Sequence, residues 1–270
     1  MMKRIALPFL FALTLALPSV AHAQRRSPLA DAPAIRKRVE LRQTRLEFGA
    51  GIGSTINQTF YHGVMVNVHL GFHITDWLSV AGFGAFNVAS LATGFHDELL
   101  PTLPTTMGSG IEGRTPVRGD ANASINKPSA LFGGQLELTP FTGKFAALGA
   151  LFAHYDFYVF GGAAGVNLAA VNSGARACTD TFPVGQTSDP GCVVTGLKIG
   201  GTFGAGFHSF INDFLALNVE VRDVLIKDNP AGRDVNGDGG TDNHDLTWTS
   251  HLLATIGLAV YLPSTAGISP

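Results

Sequence analysis

The chain has 270 residues, with 33 glycines, only 14% charged side chains and a net charge of −2. Average soluble domains carry roughly 25% charged residues, so an ordinary solvated surface is scarce, and the slightly acidic balance excludes the basic footprint of a nucleic-acid binder. After the N-terminal segment no run of about 18 uninterrupted apolar residues appears, which excludes a helical membrane span; the nearest stretch, 145–171, is broken by His154, Asp156 and Asn167.

In chain order, the first signal is Lys3 and Arg4 followed by an apolar run from Ile5 to Leu17 and the small-x-small triplet Ala21-His22-Ala23. That pattern predicts a secretory signal peptide over residues 1–23, with the mature chain starting at Gln24. Residues 24–43 carry Arg25, Arg26, Arg36, Lys37, Arg38 and Arg42 among Pro and Ala. They are expected to form a periplasmic lead-in whose charges sit on a solvated face.

Eight strand-like segments follow, each alternating with period two. Residues 44–55 put Leu46, Phe48, Ala50 and Ile52 on one face. Residues 63–74 put Val64, Val66, Val68, Leu70, Phe72 and Ile74 on one face and Met65, Asn67, His69, Gly71 and His73 on the other. A turn at Thr75-Asp76 leads into the third strand, 77–89, and 90–128 reads as a long loop without a sustained period. The fourth strand is predicted at 129–138, then a connection over 139–152 with one helical turn at 144–151. The fifth follows at 153–166, and the loop 168–193 carries both cysteines, Cys178 and Cys192. The sixth strand is 194–207. A turn at Ile211-Asn212-Asp213 opens the seventh, 214–226, and the loop 227–245 precedes the eighth, 246–262. Residues 263–270 form a C-terminal tail.

This organisation predicts an all-β fold, an eight-stranded antiparallel transmembrane β-barrel over 44–262, with its apolar face outward to lipid and a polar, side-chain-filled interior. Connections alternate short and long, with the linker at 139–152 the one of medium length. Tyr61, Trp77, Tyr155, Phe207, Phe214, Trp248 and Tyr261 fall near strand ends, as interfacial girdles require. In the oxidising compartment that a signal peptide implies, Cys178 and Cys192 are expected to form a disulfide, worth roughly 3 kcal/mol for a loop of about 15 residues in the chain-entropy model.

The polar strand faces carry Arg45, Glu47, Gln135, Glu137, Asp156, Tyr158, Lys198, Asn218, Glu220 and Arg222. Eight strands enclose a space that side chains just fill, so Arg45, Glu47, Glu137, Asp156, Lys198, Glu220 and Arg222 are expected to pair with one another as a plug. A narrow path for water or ions lined by charges is the alternative. His69 and His73 read as lumen fillers. His208 and Ser209 point to opposite faces of a strand, so they cannot act together as base and nucleophile, and no enzymatic activity is expected.

The last loop runs Asp234-Val235-Asn236-Gly237-Asp238-Gly239-Gly240-Thr241-Asp242-Asn243-His244-Asp245. Asp234, Asn236, Asp238, Asp242 and Asp245 occupy positions one, three, five, nine and twelve, with Gly239 at the sharp turn. The spacing resembles the calcium loop of EF-hands and dockerins. It departs at position twelve, where Asp245 stands for the usual bidentate Glu, and a strand rather than a helix follows. Turn chemistry alone selects the same residue types, so calcium is a candidate ligand only. Asn57-Gln58-Thr59 and Asn122-Ala123-Ser124 are glycosylation sequons that matter only in a eukaryotic source.

Ala32-Pro33-Ala34-Ile35-Arg36-Lys37-Arg38 through Arg45-Leu46-Glu47-Phe48, then Gly143-Lys144-Phe145 with His154-Tyr155-Asp156-Phe157-Tyr158, and Leu217-Asn218-Val219-Glu220-Val221-Arg222-Asp223, together resemble an outer-membrane β-barrel domain family of the myxobacterial type, loosely similar to OmpA-like barrels. The resemblance spans about 32–262 and implies a fold and a place, the Gram-negative outer membrane, without a chemistry to carry over. One departure is the tail beyond Tyr261, since many such barrels end on the aromatic read by the insertion machinery. Outer-membrane lipid and that machinery are the partners this implies. The role it leaves is structural, or one of surface interaction through external loops, with a narrow pore and a secreted soluble β-barrel ligand binder as alternatives.

Overall fold

Alternating small and bulky residues, with glycines where strands crowd, give long antiparallel strands that close on themselves. The computed structural model describes residues 40–105, 118–147, 151–172, 175, 177–178, 192–230, 235–237, 243–264 and 267–268. Eight strands form a closed barrel in sequence order: β2 (Leu46–Thr55), β3 (Tyr61–His73), β4 (Leu78–Ala92), β5 (Asn126–Ala147), β6 (Leu151–Ala170), β7 (Gly196–Phe210), β8 (Leu215–Asp228) and β9 (Thr247–Leu262). Every neighbouring pair is antiparallel, and β2 closes the ring on β9 with Leu46 opposite Leu262. Outside the barrel, β1 (Glu40–Leu41) pairs with β10 (Gly267–Ile268).

One end of the barrel carries tight turns built by side chains. Thr75 Oγ1 accepts from the Leu78 amide at 3.0 Å, and Asn212 Oδ1 from the Phe214 and Leu215 amides at 3.0 and 2.8 Å. These are the local bonds that Thr and Asn favour in turns. The opposite end carries the longer connections, including helices α1 (Gly94–Thr102) and α2 (Arg118–Ala123) and a 3-10 turn at Asn243–Asp245. The loop predicted at 90–128 is therefore shorter than expected and partly helical. Thr93 caps α1 by accepting from the His96 amide, a bond available to a threonine just ahead of a helix.

The connection predicted at 139–152 is overturned. Among the described residues, 144–147 and 151 are strand rather than helical turn: β5 runs 22 residues and β6 20, and they stay paired down to Ala147 opposite Leu151. A bulge between Leu138 and Phe141 carries β5 past the last β4 pair, Leu78 with Leu138. The Tyr155 ring lies across Gly143, so the glycine is a seat for an aromatic within the ladder.

Parity divides the strands as the alternation predicts. Phe48, Ile52, Val68, Leu70, Val80, Phe86, Phe132, Leu136, Phe203, Val219, Ile256 and Leu258 are all exposed on the outer face, whereas Glu47, His73, Glu137, Asp156, His208 and Arg222 are buried within. Trp77, Phe214 and Trp248 are exposed at strand ends, and Tyr155 stacks on Phe207 at 5.5 Å. Tyr261 departs from the expected girdle. It is fully buried inside the barrel, 5.3 Å from Phe210, because its position in β9 shares the inward parity of Ala259 and Leu253.

The inward face fits because large rings oppose glycine. Tyr158 faces Gly206, Phe160 faces Gly204 and Phe83 faces Gly133 across neighbouring strands. A Cβ at Gly206 would collide with the Tyr158 ring, and one at Gly133 would come within 2.8 Å of Phe83. No helix among the described residues is long and apolar enough to cross a membrane.

Candidate functional site: the divided lumen

The half of the lumen nearer the tight turns holds a continuous polar network. Glu47 lies at its centre, fully buried, with His73 Nε2 3.0 Å from its Oε2 and His208 Nε2 and His69 Nδ1 at 3.2 and 3.3 Å from its Oε1. The outer nitrogens of two of these rings meet further carboxylates: His69 Nε2 lies 2.9 Å from Glu137, and His208 Nδ1 2.9 Å from Asp156. Glu137 also accepts from the Ser79 hydroxyl and the Gln135 amide, both at 2.7 Å.

Arg222 links this cluster to the rest of the network. Its guanidinium donates to Gln135 Oε1 at 2.5 Å, to Glu220 Oε1 at 2.7 and 3.0 Å, and to Thr202 Oγ1 at 3.3 Å. The Phe83 and Phe160 rings cover it at 3.6 and 4.3 Å, so cation–π contact replaces lost hydration on both faces. The Tyr158 hydroxyl donates to Glu220 at 2.8 Å and accepts from Asn218 at 2.9 Å, while Asn218 Nδ2 lies 2.6 Å from His208 Nε2. The circuit is thereby closed across β2, β3, β5, β6, β7 and β8. A buried charge is tolerated only when it is partnered, and an ion pair or hydrogen bond reaches each of Glu47, Glu137, Asp156 and Glu220.

Two arginines seal the turn-side mouth. Arg42, expected on a solvated face, is buried and lies 2.5 Å from Asp156, with its guanidinium 5.3 Å from the Phe210 ring. Asp76 in the β3–β4 turn fixes its backbone by accepting from the Arg42 amide at 2.7 Å. Arg45 donates to the carbonyls of Asp213 and Pro263 at 2.7 and 2.9 Å and sits over Tyr261.

The half nearer the loops differs. Met65, Ala85, Leu131, Ala164, Val166, Leu168, Val224, Ile226 and Leu253 pack there as one apolar cluster, joined by Val194. The expectation of a polar interior throughout is thus corrected for this half. Cys178 packs against the cluster and is bonded to Cys192, with Cα atoms 4.9 Å apart. Cys178 N also donates to Val193 O at 2.9 Å, and both Cys192 and Val193 are buried. Above the apolar layer, Asn126 Nδ2 donates to Asp228 at 2.6 Å and Gln58 Nε2 meets His251 Nδ1 at 2.8 Å. One small cavity of about 40 Å³ is lined by Gly49, Gly51, Asn67, Asn218, Glu220, Arg222 and Thr255, among others. That suffices for a few waters.

Of the residues expected in the plug, Glu47, Glu137, Asp156, Glu220 and Arg222 meet in one network, and Arg45 lies at its mouth. Lys198 does not join them: it is half-buried in β7 near the loop end, before Gly200, and no bond to it is found among the described residues. His208 is buried in the lumen, and the neighbouring Ser209 takes the opposite parity. Arg42 and Ser79 are members that the strand patterns did not reveal. The first stands before its strand begins, and the second is a small polar residue on an otherwise unremarked face.

For the acidic loop, Asp234, Asp238 and Asp242 lie outside the described residues. Asp245 is buried, and its Oδ1 accepts from the amides of Val235 and Asn236 at 2.7 and 3.1 Å. Searches of protein-family models and of curated proteins return no match for this chain.

Proposed function

We propose that this protein is an exported outer-membrane β-barrel with a plugged lumen, and that it serves a structural or surface-interaction role through the loops at one end. The observation that carries this reading is the outward face, where Phe48, Ile52, Val68, Phe86, Phe132, Leu136, Ile199, Phe203, Ile256 and Leu258 are exposed around the ring. Soluble monomers rarely expose contiguous apolar patches beyond a few hundred Å². An apolar band flanked by aromatic residues, around a closed barrel with charges inside, is the arrangement lipid demands. The packed lumen supports a closed barrel over the alternative of a narrow pore.

Membrane fractionation combined with gel migration before and after boiling tests this. A folded barrel is expected in the membrane fraction, extractable with detergent and changing its migration on heating. Recovery from the periplasm without detergent would overturn the membrane reading. Steady single-channel steps from the purified protein in a planar bilayer would overturn the plug and favour the pore.

A further inference from the structure

At the loop end of β4 the apolar outer face does not stop with the strand. Phe86, Val88, Leu91 and Phe95 are exposed by 52, 63, 59 and 52%, and the last of them belongs to α1. A register shift opposite Val64 and Met65 makes this continuity possible. Met65 pairs with Asn87 but Val64 with Ala89, so Val88 is the extra residue. The bulge reverses the parity of β4 beyond it, and Leu91 points outward where unbroken alternation would have turned it in.

Helix α1 is then held in one orientation. Thr93 caps it, and the Thr93 hydroxyl donates to Thr59 O at 2.6 Å while the Thr93 amide donates to Phe60 O at 2.9 Å. On one side the His96 ring meets Tyr61, Nε2 to Oη 2.8 Å. Phe95 instead packs on Phe60, ring centroids 5.7 Å apart. At about 100° per residue, Leu99 follows Phe95 on the same side of the helix, and Asp97, whose side chain is 70% exposed, lies opposite.

We infer that α1 is a lipid-contacting element: it lies in the headgroup boundary at the loop-side rim, with Phe95 seated against the acyl chains and Asp97 in water. This rests on the membrane reading above. The occupant is lipid because the apolar ridge is continuous with the barrel's own belt through Leu91 and Val88. An amphipathic segment with an aromatic on its apolar side partitions into the same layer as interfacial Trp and Tyr.

The test uses the full chain with Trp77 and Trp248 changed to Phe and a single new tryptophan at Phe95→Trp, refolded into phosphatidylcholine vesicles with or without bromine on the upper acyl chain. Heat-dependent gel migration checks folding of each variant. The tryptophan is expected to lose most of its emission in brominated vesicles and to emit to the blue of free tryptophan. Emission at the wavelength of free tryptophan, unchanged by bromine, would overturn the inference. Phe132→Trp in the same background reports the belt itself. Quenching at 132 but not at 95 removes only the role of α1, whereas no quenching at either position removes the membrane reading with it. Leu99→Trp, on the same side of α1 as Phe95, should be quenched as well, and gives the same answer should the Phe95 variant fail to refold.

Discussion

The two halves of the lumen solve one packing problem with opposite chemistry. Near the tight turns, Glu47, Glu137, Asp156 and Glu220 are held by Arg42, Arg222 and three histidines in a closed circuit of bonds. Near the loops, Met65, Leu131, Val166, Val224, Ile226 and Leu253 fill the same cross-section as an apolar layer, with only the buried His251–Asp228 pair, 3.5 Å apart, beside it among the described residues. The polar half is specified by geometry, since each member fixes the orientation of the next. The apolar half is specified by volume. A barrel blocked by one layer could open by moving one group. Here a solute would have to break a charge network and then force apart an apolar cluster against which Cys178 of the disulfide packs.

Substitutions should separate the halves. The largest effect is expected from Arg222→Ala, which leaves Glu220 buried without its partner and should cost about 3–5 kcal/mol, read as a lower urea midpoint in lipid vesicles; an unchanged midpoint would break the account of the polar half. Leu131→Ala in the other half should cost about 2–5 kcal/mol as a cavity opens. The two changes also differ in kind. Adding Glu220→Gln to the first should restore part of the loss, whereas no polar second change should rescue the second. Next comes Gly206→Ala, which must displace the Tyr158 ring and with it the bonds to Glu220 and Asn218, at about 1–3 kcal/mol. Lys198→Ala should be the smallest, within about 0.5 kcal/mol; a larger loss in the same titration would draw Lys198 into the network after all.

Much of the barrel was legible because strand parity is a local property. The alternation from Val64 to Ile74 and the one around Glu220 and Arg222 each place their residues without any knowledge of neighbours. What stayed hidden depends on contacts between distant segments. The β5–β6 hairpin below the rim looks like a linker because Gly143 and the Ala-rich stretch after it lack β propensity; pairing through Ala147 and Leu151 overrides it. Arg42 precedes its strand, so no period marks it as inward, and only Asp76 and Asp156 explain its burial. The division of the lumen was hidden for another reason. Inward residues such as Met65, Val224 and Leu253 alternate with equally apolar outward ones, so composition alone does not show which side is the outer face and which is core.

The rings of Tyr158 and Phe160 on Gly206 and Gly204 have a further consequence for assembly. Hydrophobic alternation forbids β6 and β7 to slip by one residue, which would turn every side chain to the wrong face, but it is blind to a slip of two. The shape of the pair is not. Moved two places one way, Phe160 would sit against Thr202; moved the other way, Tyr158 would sit against His208. Each misalignment drives an aromatic ring into a side chain where the native alignment offers bare backbone. The ring-and-glycine steps therefore act as a key for the β6–β7 seam, rejecting the even-numbered misalignments that a two-sided sheet would otherwise accept as the chain zips into its barrel.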